Sequence, residues 1–243
     1  MAPSGSQEPY CYVALGDSIS IDEYAGGRGR GGASLLAGNR DEDFPHWRGK
    51  DLRTLHAGLQ YQLLARDGAT SHALLEFQLP RLVSSGVRPA VVTLTVGGND
   101  LLGAYGDTAR ARQLVRSVRA RVEEALGRLR QLMRAPADPV IVGTVYDPSD
   151  GSGDASSVGL PAWPHVVEVL ADLNAGLRAG AEKSGARIAE IHDRFLGHGL
   201  RAGNPAYDDP RPDNRNLWYR RVIEPNAWGA DAVRASFWDA LNE

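Results

Sequence analysis

The sequence predicts an α/β domain built on a mostly parallel sheet. Short apolar, β-branched runs alternate with longer stretches of helical periodicity. The runs are nearly continuous in apolar residues, as strands covered on both faces must be. Several end in a turn carrying Gly, Asp or Asn, where an open sheet of this class holds its ligand. No linker composition or internal repeat divides residues 1–243, so the chain reads as one domain. At 243 residues it can bury roughly 70–75% of the surface exposed by the unfolded chain without any covalent staple.

In chain order, the first strand is read at residues 10–15, running into Gly16-Asp17-Ser18. A weaker strand is read at 51–55, and a helix at 72–83. The clearest buried strand spans 90–96 (AVVTLTV), between Pro89 and Gly97-Gly98. A long helix follows over 108–134, with Val115, Val118, Val122, Leu126, Leu129 and Met133 spaced by three and four. Its many arginines read as a solvated outer face, supported by the i,i+4 pair Glu124–Arg128. Further strands are read at 139–145 and 186–191, and a last helix at 227–241 burying Val233, Phe237 and Leu241. Three long turn-rich segments, 22–49, 146–164 and 198–216, follow strand ends or the first turn and are expected to wall a site. Within the first, the glycine run Gly26–Gly32 lacks the Gly-Lys-Ser/Thr ending of a phosphate loop and reads as a flexible surface loop.

Composition removes several classes of function. The single cysteine, Cys11, excludes an intramolecular disulfide framework and a cysteine-rich metal site. Lys and Arg number 27 against 30 acidic residues, a net charge of −3 that argues against electrostatic nucleic-acid binding. No apolar stretch approaches the ~18 residues of a membrane span. The first nine residues lack a basic region and an apolar core, so a cytoplasmic location is expected. No His, Asp or Cys cluster has ligand spacing, and no metal or organic cofactor is expected. The composition carries no information on oligomeric state.

Four short blocks can carry chemistry. Ser18 stands where a strand is read as handing over to a helix, a place where free backbone N–H groups favour developing negative charge. Gly97-Gly98-Asn99-Asp100 projects an amide donor, Asn99, over the strand ends. Asp67-Gly68-Ala69-Thr70-Ser71 offers the Gly68 N–H, and Pro225-Asn226 precedes the last helix. Each block taken singly is also an ordinary turn or cap sequence.

In this order and spacing the four blocks resemble the SGNH (GDSL-type) hydrolase family across nearly the whole chain. Gln78-Leu79-Pro80 and Phe195-Leu196-Gly197-His198 fit the resemblance. It implies a three-layer α/β/α sandwich with a five-stranded parallel sheet in the flavodoxin-like order 2-1-3-4-5. It also implies esterase, lipase or acyl-transfer chemistry on a small-molecule or acyl/carbohydrate ester, with Ser18 as nucleophile. The implied oxyanion hole comprises the Ser18 N–H, the Gly68 N–H and the Asn99 side chain.

The fourth block departs from the pattern. The family has a histidine base directly before Pro-Asn and an aspartate three residues earlier; here those positions hold Glu224 and Arg221. Three accounts follow. Glu224 serves as the base, provided burial raises its proton affinity against the pull of Arg221. Alternatively a histidine is recruited, with His198 first, His192 second and His46 third by position. In the third account the chain is a catalytically impaired ligand-binding module, or performs a transfer whose substrate brings its own base. Trp47, Trp163 and Trp218 lie in the expected loops and are candidates for an apolar pocket.

Overall fold

The computed structural model describes residues 9–243, so the N-terminal stretch read above as lacking a signal lies, but for its last residue, outside them. Strand β1 (Cys11–Gly16) is fully buried, and helix α1 (Gly32–Ala37) follows a run of turns. Next come α2 (Leu52–Leu55), β2 (Gln60–Leu63) and α3 (Ser71–Ala73). A π-helical turn (Leu74–Gln78) joins α3 to α4 (Leu79–Ser85). Then follow β3 (Val91–Thr95), α5 (Gly98–Leu102), α6 (Thr108–Leu132) and β4 (Val140–Gly143). The chain ends with α7 (Val166–Ser184), β5 (Arg187–Ala189), α8 (Ile191–Phe195), the short β6 (Tyr219–Arg220) and β7 (Glu224–Pro225), and α9 (Ala227–Asn242).

The sheet has five parallel strands in the order β2-β1-β3-β4-β5, the architecture expected from the sequence, with β6 and β7 forming a separate antiparallel ladder. Strand periodicity assigns the two cores. Val13, Leu15, Val92, Leu94, Val140 and Val142 pack with the apolar stripes of α4, α6 and α7. Their neighbours Tyr12, Ala14, Val91 and Ile141 face the other way, onto α1, α8 and α9. Among the described residues, no helix is long and apolar enough to cross a membrane.

Several expectations are corrected. Residues 52–55 form a helical turn, because the Asp51 side chain accepts the Thr54 N–H at 2.9 Å and caps it; the edge strand is Gln60–Leu63 instead. The glycine run is tied down by Asp22, whose carboxylate accepts the N–H groups of Gly29 and Gly31, both at 2.9 Å, and Gly32 opens α1. The arginines of α6 are not all solvated. Arg121 reaches the Ser71 hydroxyl, and Arg130 donates to the carbonyls of Ser184, Asp138 and Gly185. Arg128 does pair with Glu124 as the spacing suggests, at 2.5 Å.

Candidate active site

The carboxyl ends of β1 and β3 bring the Ser18 and Asn99 blocks together. Gly16 has φ +118°, and a Cβ there would lie 1.9 Å from the Thr95 carbonyl oxygen, so only glycine lets β1 turn this close to β3. The π-helical turn aims Gln78 at the same residue. Its side-chain amide accepts from the Gly16 N–H and donates to the Gly16 carbonyl, both at 2.8 Å. This pair of hydrogen bonds holds the strand end that precedes Ser18. Ser18 itself is 7% exposed and sits in a turn, since α1 begins only at Gly32. The strand-to-helix setting read from the sequence therefore does not hold.

The Asn99 and Gly68 segments are tied to each other. Asn99 Nδ2 donates to the Ala69 carbonyl at 3.0 Å. Its neighbour Asp100 accepts the Ser71 N–H at 2.9 Å and the Ser71 hydroxyl at 2.7 Å. Arg121 lies 3.8 Å from Asp100 and completes the bracket. Gly68 is in the left-handed region at φ +68°, with open space where a Cβ would point.

Glu224 lies on β7, opposite Arg220 in the two-residue ladder, and is 8% exposed. Its Oε2 is buried without a hydrogen-bond partner. The Ser18 hydroxyl favours its ionised form. Burial dominates and pushes the Glu224 pKa up to about 7, helped by the negative charges of Asp67 and Asp17 and opposed by Ser18 and Arg221. Burial likewise raises Asp17 to about 6. Arg221 has little pull because it is engaged elsewhere, in a bidentate pair with Asp208 at 2.7 and 2.9 Å.

The hairpin holding Glu224 is strapped to the rest of the site. Arg220 donates to the Tyr24 carbonyl at 2.9 Å and to the Asp208 carbonyl at 2.8 Å. The Tyr24 hydroxyl donates to Asp67 at 3.0 Å, linking this hairpin to the Gly68 segment. The hydroxyl of Tyr146 donates to the Ile223 carbonyl at 2.6 Å. Between the two strands, Arg221 and Val222 adopt φ +50° and +78°, unusual for a non-glycine and above all for a β-branched residue. Sequence reading missed Tyr24, Arg220 and Tyr146, since none belongs to a local motif. The one available signal was Asp67, directly before the glycine of the second block.

The histidines are elsewhere. His198 Nδ1 lies 2.7 Å from the Asn216 carbonyl oxygen, and its ring stacks on Trp218 at 3.4 Å. His192 Nδ1 is 3.0 Å from the Val145 carbonyl oxygen, and His46 lies 3.8 Å from Asp231. None of the three lines the pocket beside Ser18. That pocket, about 120 Å³, runs from Ser18 and Asn99 between α5, the start of α7 and the 146–164 segment. Trp163 lines it, but Trp47 and Trp218 line a separate surface groove with Trp228. The 22–49 and 198–216 segments contribute no lining residue. Their place as a wall is taken by Val222 and Ile223, which the strained hairpin turn carries in.

An open parallel sheet with a pocket at the carboxyl ends of its strands is the arrangement in which α/β proteins of this class hold a ligand. The sequence from residue 14 to residue 232 matches the GDSL-like Lipase/Acylhydrolase family, and the chain belongs to that family, an esterase/acylhydrolase by activity. A lipase from Streptomyces rimosus is 26% identical over 219 residues, covering 80% of this chain and 74% of that one. The crystal structure of the extracellular lipase of that organism matches with a TM-score of 0.62 and 24% identity, over 95% of this chain and 99% of the other. An acetylxylan esterase from Geobacillus stearothermophilus matches with a TM-score of 0.65 and 14% identity, over 97% and 95% of the two chains. Solved forms of that esterase include catalytic mutants in which an aspartate, and a histidine three positions later, are replaced by alanine.

Proposed function

We propose that the chain hydrolyses carboxylic esters through a Ser18–Glu224 dyad, with the Ser18 N–H, the Gly68 N–H and Asn99 Nδ2 as oxyanion donors. The observation that carries this reading is the state of the Glu224 carboxyl. Burial of the carboxyl, one oxygen of which has no hydrogen-bond partner, raises its pKa from an ordinary 4.5 to about 7, although the neighbouring Ser18 hydroxyl pulls it down. A free histidine has a pKa near 6.5. Burial thus makes this glutamate about as basic as the imidazole usual at its position, and the handicap of a carboxylate base disappears.

Glu224 takes the Ser18 proton as Oγ attacks the ester carbonyl carbon. The carbonyl oxygen becomes an oxyanion held by the three donors. Glu224, now a neutral acid, returns the proton to the leaving alcohol, and the acyl group stays on Ser18. Water attacks the acyl-serine in a second cycle, with Glu224 again as base. A protonated imidazole would carry a positive charge beside the oxyanion, but a protonated glutamate carries none. Stabilisation of the intermediate therefore falls wholly on the donors, each worth about 3–4 kcal/mol when preorganised.

A fluorophosphonate probe followed by intact-mass analysis tests the reading. One adduct is expected on the wild-type chain, none on Ser18→Ala, and much slower labelling on Glu224→Gln. No adduct on the wild type, or one that persists in Ser18→Ala, would overturn it in favour of a binding module.

A further inference from the structure

The proposed base lacks the support that its counterpart in the family pattern has. Glu224 Oε2 is buried without a partner, and Arg221, in the place of the orienting aspartate, is taken up by Asp208. A glutamate side chain is flexible, yet a general base must stand within about 2.6–3.2 Å of the proton it takes. The position of Glu224 therefore depends on how its backbone is held. On the outer side, the Arg221 N–H bonds to the Tyr207 carbonyl at 3.3 Å and the Val222 N–H to the Pro205 carbonyl at 2.6 Å. Tyr207 is 69% exposed, so this outer segment is a soft anchor.

The firm anchor is Tyr146, just beyond the end of β4. Its hydroxyl donates at 2.6 Å to the carbonyl of Ile223, the residue directly before Glu224. The ring stacks on Phe195 with centroids 4.7 Å apart and meets Tyr219 edge-on at 5.0 Å. The residue before it is clamped by the buried Asn174 of α7, whose side chain accepts the Val145 N–H at 2.8 Å and donates to the Val145 carbonyl at 2.9 Å. Gln78 holds Gly16 by the same pair of bonds. Two strand ends are thus fixed alike: one leads to Ser18, the other through Tyr146 to Glu224. Burial, and after it the charge of Glu224, keep the Tyr146 hydroxyl protonated well above the ordinary phenol range, so it stays a donor.

We propose that Tyr146 is the positioning residue of the general base: through the Ile223 carbonyl, its hydroxyl registers Glu224 against Ser18. The inference rests on the Ser18–Glu224 reading. In Tyr146→Phe the ring and its stacking remain, but the Ile223 carbonyl is released and Glu224 can swing toward water. A misplacement of about 1 Å costs about 10²-fold in rate. The same movement returns the proton affinity of Glu224 toward that of an ordinary glutamate, because burial is the leading cause of its raised value. The other titratable groups around Glu224, namely Asp17, Tyr24, Asp67, Arg220 and Arg221, are the same in this variant, so the shift reports the movement of Glu224 itself.

The test compares Tyr146→Phe with Tyr219→Phe. Tyr219 belongs to the same aromatic cluster, but its buried hydroxyl has no partner, so its removal breaks no hydrogen bond. The first readout is kcat and KM on p-nitrophenyl acetate. The second is the titration of Glu224, followed by NMR of the chain labelled with carbon-13 at its glutamate carboxyls and assigned with Glu224→Gln; it needs no turnover. Tyr146→Phe should lower kcat by about ten- to a hundredfold with KM within about twofold. It should also move the Glu224 midpoint down from about 7 by at least about half a pH unit. Tyr219→Phe should move neither. Asn174→Asp, which keeps the bond to the Val145 N–H and loses that to its carbonyl, should act in the direction of Tyr146→Phe and replaces it if that variant does not fold. In a chain that turns over ester, any pattern other than both readouts moving in Tyr146→Phe and neither in Tyr219→Phe overturns the positioning role and leaves the dyad standing. Without ester turnover by the wild type the dyad falls, and a midpoint that drops only in Tyr146→Phe still upholds the brace, whereas an unmoved midpoint overturns both.

Discussion

Replacing Glu224 with Gln separates catalysis from stability in opposite directions. In the folded chain the carboxyl pKa is about 7 against an ordinary 4.5, so the native state holds a proton that the unfolded state has released between these values. Stability conferred by the neutral carboxyl is complete below pH 4.5 and is lost as pH rises to about 7. The whole displacement is worth about 3 kcal/mol, an upper figure because Asp17 and Asp67 share the same field. Glutamine keeps the shape and never ionises. Glu224→Gln should therefore match the wild type near pH 4 and exceed it at pH 8 by up to about 3 kcal/mol. For a chain of this size that is about 6–12 °C in Tm. Ester turnover at pH 8 should fall by about 10²–10⁴, the usual range for a lost general base. Wild-type kcat/KM should drop as pH falls through about 7, as Glu224 becomes protonated. Thermal unfolding at the two pH values and a pH–rate profile give the result. A variant that is less stable than wild type at pH 8, or that keeps its turnover, refutes the reasoning.

Asn99→Ala should lower kcat by about 10²–10³ with little change in KM, because its amide acts on the oxyanion and not on bound ester. Asp67→Asn removes one of the negative charges that raise Glu224, so the acid limb of the pH–rate profile should move down, by less than about one pH unit for so exposed a group. An unmoved limb would mean that the Tyr24–Asp67 link is purely structural. Gly16→Ala forces a Cβ into the Thr95 carbonyl and should abolish soluble expression or lower Tm by more than about 10 °C. His198→Ala and His192→Ala should leave turnover within twofold, and a large loss in either would identify a recruited base.

What the sequence determined by itself is what depends on local physics. Periodic apolar residues specified the three fully buried strands and the long helices, and the glycines at strand ends marked the turn where Ser18 stands and the start of α5, where Asn99 stands. A change of residue type, histidine to glutamate at position 224, was legible with no structure at all. The edge strand is not legible because Gln60-Tyr61-Gln62-Leu63 is half-exposed and lacks a long apolar run, while Asp51 caps Leu52–Leu55 into a helical turn. Tertiary structure alone decided the proton affinity of Glu224. Its pKa comes from burial and from charges at positions 17 and 67, distances that no sequence spacing encodes. Equally, Arg221 looked like a partner for Glu224 three residues away, but on a tight antiparallel hairpin its side chain turns to Asp208. The pocket walls were half legible for the same reason. Trp163 lies in the long segment that follows β4, whereas Val222 and Ile223 arrive on a turn whose Arg221 and Val222 are in the left-handed region.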